Sequence, residues 1–410
     1  MPINPSRLQS DLDIISRLTH TPGAGASRPT FSTAWRAACN YVVKQAESAG
    51  CKVRVDAAGN THIRPAAVGW DAKVWMSGSH LDSVPHGGDF DGVVGVVAPL
   101  EVLRAAHEDG HADLPLELVI FAEEEGTTFG LGMLGSRTWA GTLDADTLAT
   151  IRNDAGLNYF EAGQPHGVDR SQLDAQRLRL SSYLGLIELH IEQGPAMWNR
   201  DQRVALVTHI NGRRQYLVTL RGTANHAGST SMADRRDALV GAAAVIQELE
   251  KLATHLSPQA VATVGRIRCE PNAVNVIAER VEFTIDFRAP HDATLADGDA
   301  QIHRMIADFA ARRDLEHTIE QTEALPAVEM STEVCDTLRS AAKQLGMPPL
   351  VETVSGALHD SAILAPIVPT AMLFVASRDG ISHNPAEFSR LEDIAAATSV
   401  LYRAVSGPLP

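Results

Sequence analysis

Lys73-Val74-Trp75-Met76-Ser77 leads through Gly78 into Ser79-His80-Leu81-Asp82-Ser83-Val84-Pro85-His86-Gly87-Gly88-Asp89-Phe90-Asp91-Gly92. Val93-Val94-Gly95-Val96-Val97-Ala98-Pro99-Leu100-Glu101-Val102-Leu103 follows. The first run reads as a strand and the last as the apolar opening of a helix. Between them lies a glycine-rich loop with two histidines and three aspartates. A loop at the end of a strand, dense in imidazole and carboxylate, suits a divalent cation. His80 and Asp91 are therefore candidate ligands of a metal pair. Taken alone, the loop reads equally well as a polar surface turn.

Outward from this stretch, strands alternate with helices. Residues 7–18 and 33–49 read as amphipathic helices, the second presenting Trp35, Ala38, Val42, Val43 and Ala46. Lys52-Val53-Arg54-Val55-Asp56 alternates as a strand, and Ala58-Gly59-Asn60 turns it. Leu116 to Ala122 reads as a second buried strand, running into Glu123-Glu124-Glu125-Gly126. Residues 136–180 are polar and helical or irregular, and 184–191 form another strand that ends in Glu192-Gln193-Gly194-Pro195. The pattern predicts an α/β fold with a mostly parallel central sheet flanked by helices, its sites gathered at strand ends.

The character changes near Asn211-Gly212. A strand is expected at 216–222. A helix should span 237–255 with Leu239, Ala242, Ala243, Ile246, Leu249 and Leu252 on one face. Val281 to Arg288 alternates strictly between apolar and polar, the mark of a sheet with one face covered and one open. A helix over 295–312 and a strand near 316–322 complete a smaller α/β sandwich. Residues 211–325 thus read as a domain inserted into a catalytic domain formed by 1–210 and 326–410. The latter resumes with a helix at 331–345 and a strand at 370–375.

At 410 residues, two domains are the natural expectation. The apolar fraction of 44% suits a globular protein, and the net charge of −15 disfavours nucleic acid and anionic membranes as partners. Four cysteines (Cys39, Cys51, Cys269 and Cys335) form no CxxC pair, which fits a reducing, cytoplasmic setting. The first residues show no signal-peptide pattern, and no stretch is apolar enough to span a bilayer.

The polar clusters at strand ends are His80 and Asp91, Glu124 and Glu125, His190, and His383 in Gly380-Ile381-Ser382-His383-Asn384-Pro385. Three imidazoles and two carboxylates from this set would make a dinuclear site if one carboxylate bridges. Zinc, manganese or cobalt suits such mixed ligands. The remaining glutamate could take a proton from water and pass it to a leaving nitrogen. Individually, a histidine at a strand end is more often a core residue, and a Glu-Glu pair a solvated turn.

His80-Leu81-Asp82, Asp91-Gly92, Glu124-Glu125-Gly126, His190-Ile191-Glu192-Gln193-Gly194, Asn225-His226-Ala227-Gly228 and Ser382-His383-Asn384 occur in that order. Together they resemble the M20-type metallohydrolases, in the branch of N-carbamoyl-L-amino acid hydrolases, allantoate amidohydrolases and β-ureidopropionases. The resemblance covers nearly the whole chain, and the run around His190 is its most branch-specific part. It implies two divalent ions per subunit. His80, His190 and Asp91 would hold one, and Glu125, His383 and the same Asp91 the other. Glu124 would be general base and then general acid, with Asp82 hydrogen-bonding the His80 imidazole. His226 would stabilise the oxyanion. Gln193, Asn275 and Arg288 match substrate-binding positions, with Arg288 clamping a carboxylate and Asp286 orienting it. The inserted domain would act as lid and homodimer interface, moving about hinges near 210 and 325.

The implied reaction is cleavage of a carbamoyl or ureido C–N bond on a small carboxylate. An N-carbamoyl-L-amino acid is the first choice and allantoate or another ureide the alternative. An aminoacylase, a peptidase and a non-catalytic ligand-binding relative rank below these. Thr127-Thr128, Leu358, His209 and Thr230-Ser231-Met232 depart from the branch's usual residues without touching a proposed ligand. His86, His62 and His209 read as structural or solvated, and the role of His359-Asp360 stays open.

Overall fold

The computed structural model describes residues 3–407. The chain divides into two compact units. One comprises Met1–Thr208, Met330–Thr353 and Leu358–Pro410, the other His209–Glu329 and Val354–Ala357. In chain order the strands begin with β1 (Cys51–Val55), β2 (Thr61–Pro65), β3 (Val74–His80), β4 (Leu116–Phe121), β5 (Tyr183–Ile191) and β6 (Val204–Ile210). Next come β7 (Gly212–Arg221), β8 (Val261–Thr263), β9 (Ile267–Glu270), β10 (Arg280–Ala289), β11 (Glu316–Leu325) and β12 (Val328–Glu329). The series ends with β13 (Val351–Ser355) and β14 (Thr370–Val375).

In the first unit the sheet order is β1-β2-β4-β3-β5-β14-β6. The central block β4-β3-β5-β14 is parallel. Its flanking pairs, β1 with β2, β2 with β4 and β14 with β6, are antiparallel. The expected mostly parallel sheet is therefore corrected to a parallel centre with antiparallel wings. The connection from β1 to β2 shows why. Asp56 Oδ1 accepts the amides of Ala58 and Asn60 at 2.9 and 2.8 Å, reversing the chain within a few residues. Parallel pairing would need a long crossover instead.

Helices cover this sheet. Thr33–Ser48 starts at Ser32, whose side chain caps the Trp35 amide, and buries Ala34, Trp35, Ala38, Cys39, Val42 and Ala46. Val43, expected on that face, is only partly buried. Val93–Glu108 buries every residue from Val93 to Ala106. The charged members of that run are paired: Glu101 takes two bonds from Arg7 at 2.8 Å, and Arg104 reaches Asp11 at 2.7 Å. Burial of a charge is tolerable only with such partners.

A second buried polar group sits between β1, β2, β4 and β5. His62 is fully enclosed, with Nε2 3.1 Å from Asp56 and Nδ1 2.9 Å from Glu117. Glu117 is also bonded by Arg64 and by the Tyr183 hydroxyl, the latter at 2.6 Å. Burial opposes charge on His62, but Glu117 and Asp56 outweigh it and raise the imidazole to about 9. His62 is thus structural.

In the second unit β11-β7-β10-β8 form an antiparallel sheet, with β9 also on β10. Val281, Phe283, Ile285, Phe287 and Ala289 of β10 are fully buried, and the residues between them are half-buried. Each large side chain on that face contributes about 2 kcal/mol through burial. Helices Ala238–Leu256 and Asp292–Ala311 pack on this face. The first helix buries Ala238, Gly241, Ala242, Val245, Leu249 and Ala253. This corrects the expected stripe: Leu239 is 41% exposed, and Ala243 is also exposed. Two stripes one position apart fit the helical period equally well, and the smaller residues allow closer approach to the sheet. Among the described residues no helix is long and apolar enough to cross a membrane. All four cysteines are free thiols.

Candidate metal centre

The parallel strands of the first unit deliver their chemistry at their carboxyl ends. β3 ends on His80, which lies opposite Phe121 of β4, and Glu123-Glu124-Glu125 follows β4 after Ala122. His190 sits near the end of β5, opposite Phe374 of β14. Backbone geometry marks the same rim. Glu123, Gln193 and His383 all adopt positive φ, at 57°, 57° and 54°. Each such non-glycine residue costs about 1–3 kcal/mol, and they gather where a site is being shaped.

Asp91 stands at the centre. Its Oδ1 lies 3.2 Å from His190 Nε2 and 3.5 Å from His80 Nε2. Its Oδ2 lies 3.2 Å from His383 Nε2, which is 3.5 Å from Glu125. Two metal-capable groups result, His80–Asp91–His190 and Asp91–Glu125–His383. Glu124 sits beside them, 3.7 Å from His80 Nε2. Five predicted ligands and the predicted base therefore converge.

The neighbouring residues fit a cation. His80 Nδ1 donates to the carbonyl of Asp82 at 2.9 Å, and His190 Nδ1 donates to the carbonyl of Ile191 at 3.0 Å. Both rings thereby turn Nε2 toward Asp91, the arrangement metal-ligating histidines adopt. Gly92 has φ 67°, and a Cβ there would lie 2.5 Å from the His80 ring, so glycine after Asp91 is a steric requirement. Buried Asp82 Oδ1 and Gln193 Oε1 have no hydrogen-bond partner, an excess of acceptors among the residues around the cluster.

The charge balance agrees. Burial pushes the Glu124 carboxyl well above the usual range, and Glu125 and Asp360 push it further against the pull of His80. Glu125 is raised to about 7 by burial and by Asp91. Asp91 goes the other way: bonds from His190, His383 and His80 overcome burial and hold it well below the usual range. Such crowded carboxylates are stabilised by added positive charge.

One detail corrects the sequence reading. The partner of His80 Nδ1 is the backbone carbonyl of Asp82, because the carboxylate lies 3.9 Å away and instead accepts the Glu125 amide at 3.0 Å. Gln193, expected to touch substrate, lies beside the cluster, its Nε2 donating to Asp91 Oδ2 at 2.7 Å. The three consecutive glutamates also separate. Glu123 is buried and accepts the amides of Thr128 and Phe129 at 2.7 and 2.9 Å, leaving Glu124 and Glu125 for the site.

Other residues escaped the sequence reading. Glu188, fully enclosed in β5, accepts from Ser79 Oγ at 2.9 Å and Ser361 Oγ at 2.5 Å, and forms a third metal-capable group with His190 and His359. A charged residue two before His190 in an otherwise apolar strand was the available signal. His359, which the sequence singled out without a role, packs edge-on against His190, ring centres 4.5 Å apart. Glu387 binds the Asp91 loop and gave no sequence signal at all.

The remaining predicted residues belong to the second unit. His226 is exposed, and its Nδ1 accepts the amides of Gly228 and Ser229 at 3.0 and 3.2 Å. That leaves the proton on Nε2, ready to donate. Asn275 is its neighbour, with the Ala227 amide donating to the Asn275 carbonyl at 3.0 Å. Arg288 on β10 donates from Nε and Nη2 to Asp286 at 2.8 and 3.2 Å, and from Nη1 to the Gly356 carbonyl at 2.8 Å. Asp286 thus orients Arg288 as expected. The pair lines a cavity of about 490 Å³ with Gln215, Thr263 and Thr284.

Clustered imidazoles and carboxylates at the carboxyl ends of a parallel sheet, with a spare glutamate beside them, define a hydrolytic centre. Residues 76–407 match Peptidase family M20/M25/M40, and the chain belongs to that family. It is 39% identical over 408 residues to an N-carbamoyl-L-amino acid amidohydrolase of Geobacillus stearothermophilus, covering 98% of each chain. It is 33% identical over 388 residues to an allantoate amidohydrolase of Bacillus subtilis, covering 92% of each. An amidase of the hydantoinase/carbamoylase family from Burkholderia multivorans superposes with a TM-score of 0.90 at 36% identity, over 98% of this chain and 97% of the other. The protein is a hydrolase.

Proposed function

We propose that this hydrolase cleaves the carbamoyl C–N bond of an N-carbamoyl-L-amino acid, with two divalent ions held by His80, Asp91, Glu125, His190 and His383. The observation that carries the reading is the Asp91 carboxylate, whose two oxygens face separate groups of candidate ligands. Zinc, manganese or cobalt fits the mixed nitrogen and oxygen donors. Bound there, such ions supply Lewis acidity and make hydroxide available near neutral pH.

Glu124 takes the proton from the attacking water. The water oxygen bonds to the carbamoyl carbon, and the bond from that carbon to the amino-acid nitrogen breaks. Glu124 returns its proton to that nitrogen, and the carbamate released decomposes to ammonia and carbon dioxide. The Nε2–H of His226 donates to the carbonyl oxygen as it gains charge. Arg288, oriented by Asp286, holds the substrate carboxylate, with Asn275 as a further contact. Gln193, bonded to Asp91, contacts the substrate from the rim of the centre. The second unit also exposes Met232, Leu239, Val240, Ile267 and Val274, which supports a homodimer interface there. Light scattering giving the mass of a single chain would remove that assignment.

The deciding experiment measures ammonia release from N-carbamoyl-L-amino acids, N-carbamoyl-β-alanine, allantoate and ureidoglycolate with added Mn²⁺ or Zn²⁺. Turnover is expected first with N-carbamoyl-L-amino acids. Preference for allantoate would replace the substrate assignment, and no release from any of the four would sink the reading.

A further inference from the structure

We propose that Glu387 is the positioning residue that fastens the exposed His383 loop to Asp91, and that the ion on the Asp91–Glu125–His383 side depends on it. This inference rests on the two-ion reading above.

Two loops distant in sequence must meet for Asp91 and His383 to share an ion. His383 is poorly suited to hold itself in place. Its side chain is 48% exposed, and its φ is 54°. Glu387, four residues on, is buried and joins both loops. Its Oε1 accepts the amides of Phe90 and Asp91 at 2.9 and 3.0 Å. Its Oε2 lies 2.9 Å from the hydroxyl of Ser382, the residue before His383. That hydroxyl is also 3.0 Å from Asp91 Oδ2, the oxygen that faces His383.

The fit between the loops is close. A Cβ on Gly88 would lie 2.2 Å from the Glu387 carboxyl carbon, so glycine there lets the Asp91 loop close over the carboxylate. Phe90 and Phe388 meet edge to face with ring centres 5.9 Å apart. Asn384 closes the turn between His383 and Glu387, its carbonyl accepting the Glu387 amide at 3.0 Å. By contrast, His80 and His190 stand on sheet strands, so the ion on their side depends on Glu387 through Asp91 alone. The ion on the His383 side depends on Glu387 through both Asp91 and His383, so loss of the anchor should affect that ion more than the other.

The test is metal stoichiometry and affinity, measured by equilibrium dialysis against Zn²⁺ or Mn²⁺ with elemental analysis. Urea midpoints are taken alongside. Wild-type protein should hold two ions. Glu387→Ala removes all three bonds and should lose one ion, or bind it at least tenfold more weakly, with the other ion weakened clearly less. Glu387→Gln keeps an acceptor for the two amides and should retain both ions, the weaker one bound between the affinities of wild type and the alanine variant. A merely structural role would lower the urea midpoint without separating the two ions. Two ions of wild-type affinity in Glu387→Ala would overturn the proposal. If the alanine variant does not fold, Glu387→Gln decides: selective weakening of one ion supports the anchor, and unchanged binding overturns it. Wild-type protein that binds no ion would overturn the metal reading itself and this inference with it.

Discussion

Replacing His62 by glutamine is expected to remove one specific pH dependence from the stability of this protein. His62 lies fully buried between Asp56 and Glu117, and its folded-state pKa is about 9 against an ordinary 6.5. Because the folded value is the higher one, the contribution is complete below about 6.5 and is lost as pH rises through about 9. Its full size is on the order of 3 kcal/mol. Glu117, pulled down to about 2 by His62, Arg64 and Tyr183 against its burial, is the same interaction seen from the acid side. That part is present above about 4.5 and fades as pH falls toward 2, so the energy is counted once. The assay is the urea midpoint of wild type and His62→Gln at pH 6 and pH 9.5. Other groups titrate in that window, so the quantity to read is the difference between the two proteins. Wild type should lead clearly at pH 6, and the gap should shrink by most of its value at pH 9.5. A gap of constant size would refute the assignment of a charged, paired His62.

Two further expectations concern the centre. Glu124→Gln should lower kcat at least a hundredfold, the usual loss on removing a general base, while the metal-to-protein ratio stays at the wild-type value. Retained turnover would dismiss Glu124 as the proton carrier. Arg288→Ala should raise KM for carboxylate substrates about tenfold or more, as expected when a charge-assisted bond is lost. An unchanged KM would place the carboxylate elsewhere.

The residue pattern alone was enough to define several elements. Strict alternation from Val281 to Arg288 marked a strand with one buried face, because only period-two alternation serves a half-covered sheet. The apolar run after Gly92 marked the opening of a helix, which the fold then buries from Val93 to Ala106. The order of the His80, Asp91, Glu124-Glu125, His190 and His383 motifs singled out imidazoles and carboxylates that the fold brings into candidate metal groups, because these residue types ligate borderline divalent metals. Periodicity could not choose between neighbouring stripes of the helix Ala238–Leu256, because both fit 3.6 residues per turn.

Only tertiary structure decided the rest, for a physical reason common to each case. Whether a carboxylate ligates, caps or positions depends on which donors lie within about 3 Å, and those donors come from distant parts of the chain. Glu123 caps a turn while Glu124 and Glu125 face the site, although the three are adjacent. Asp82 supports His80 through its carbonyl, not its carboxylate. Glu387 meets the amide of Asp91 across 296 residues of sequence, a contact no local pattern encodes.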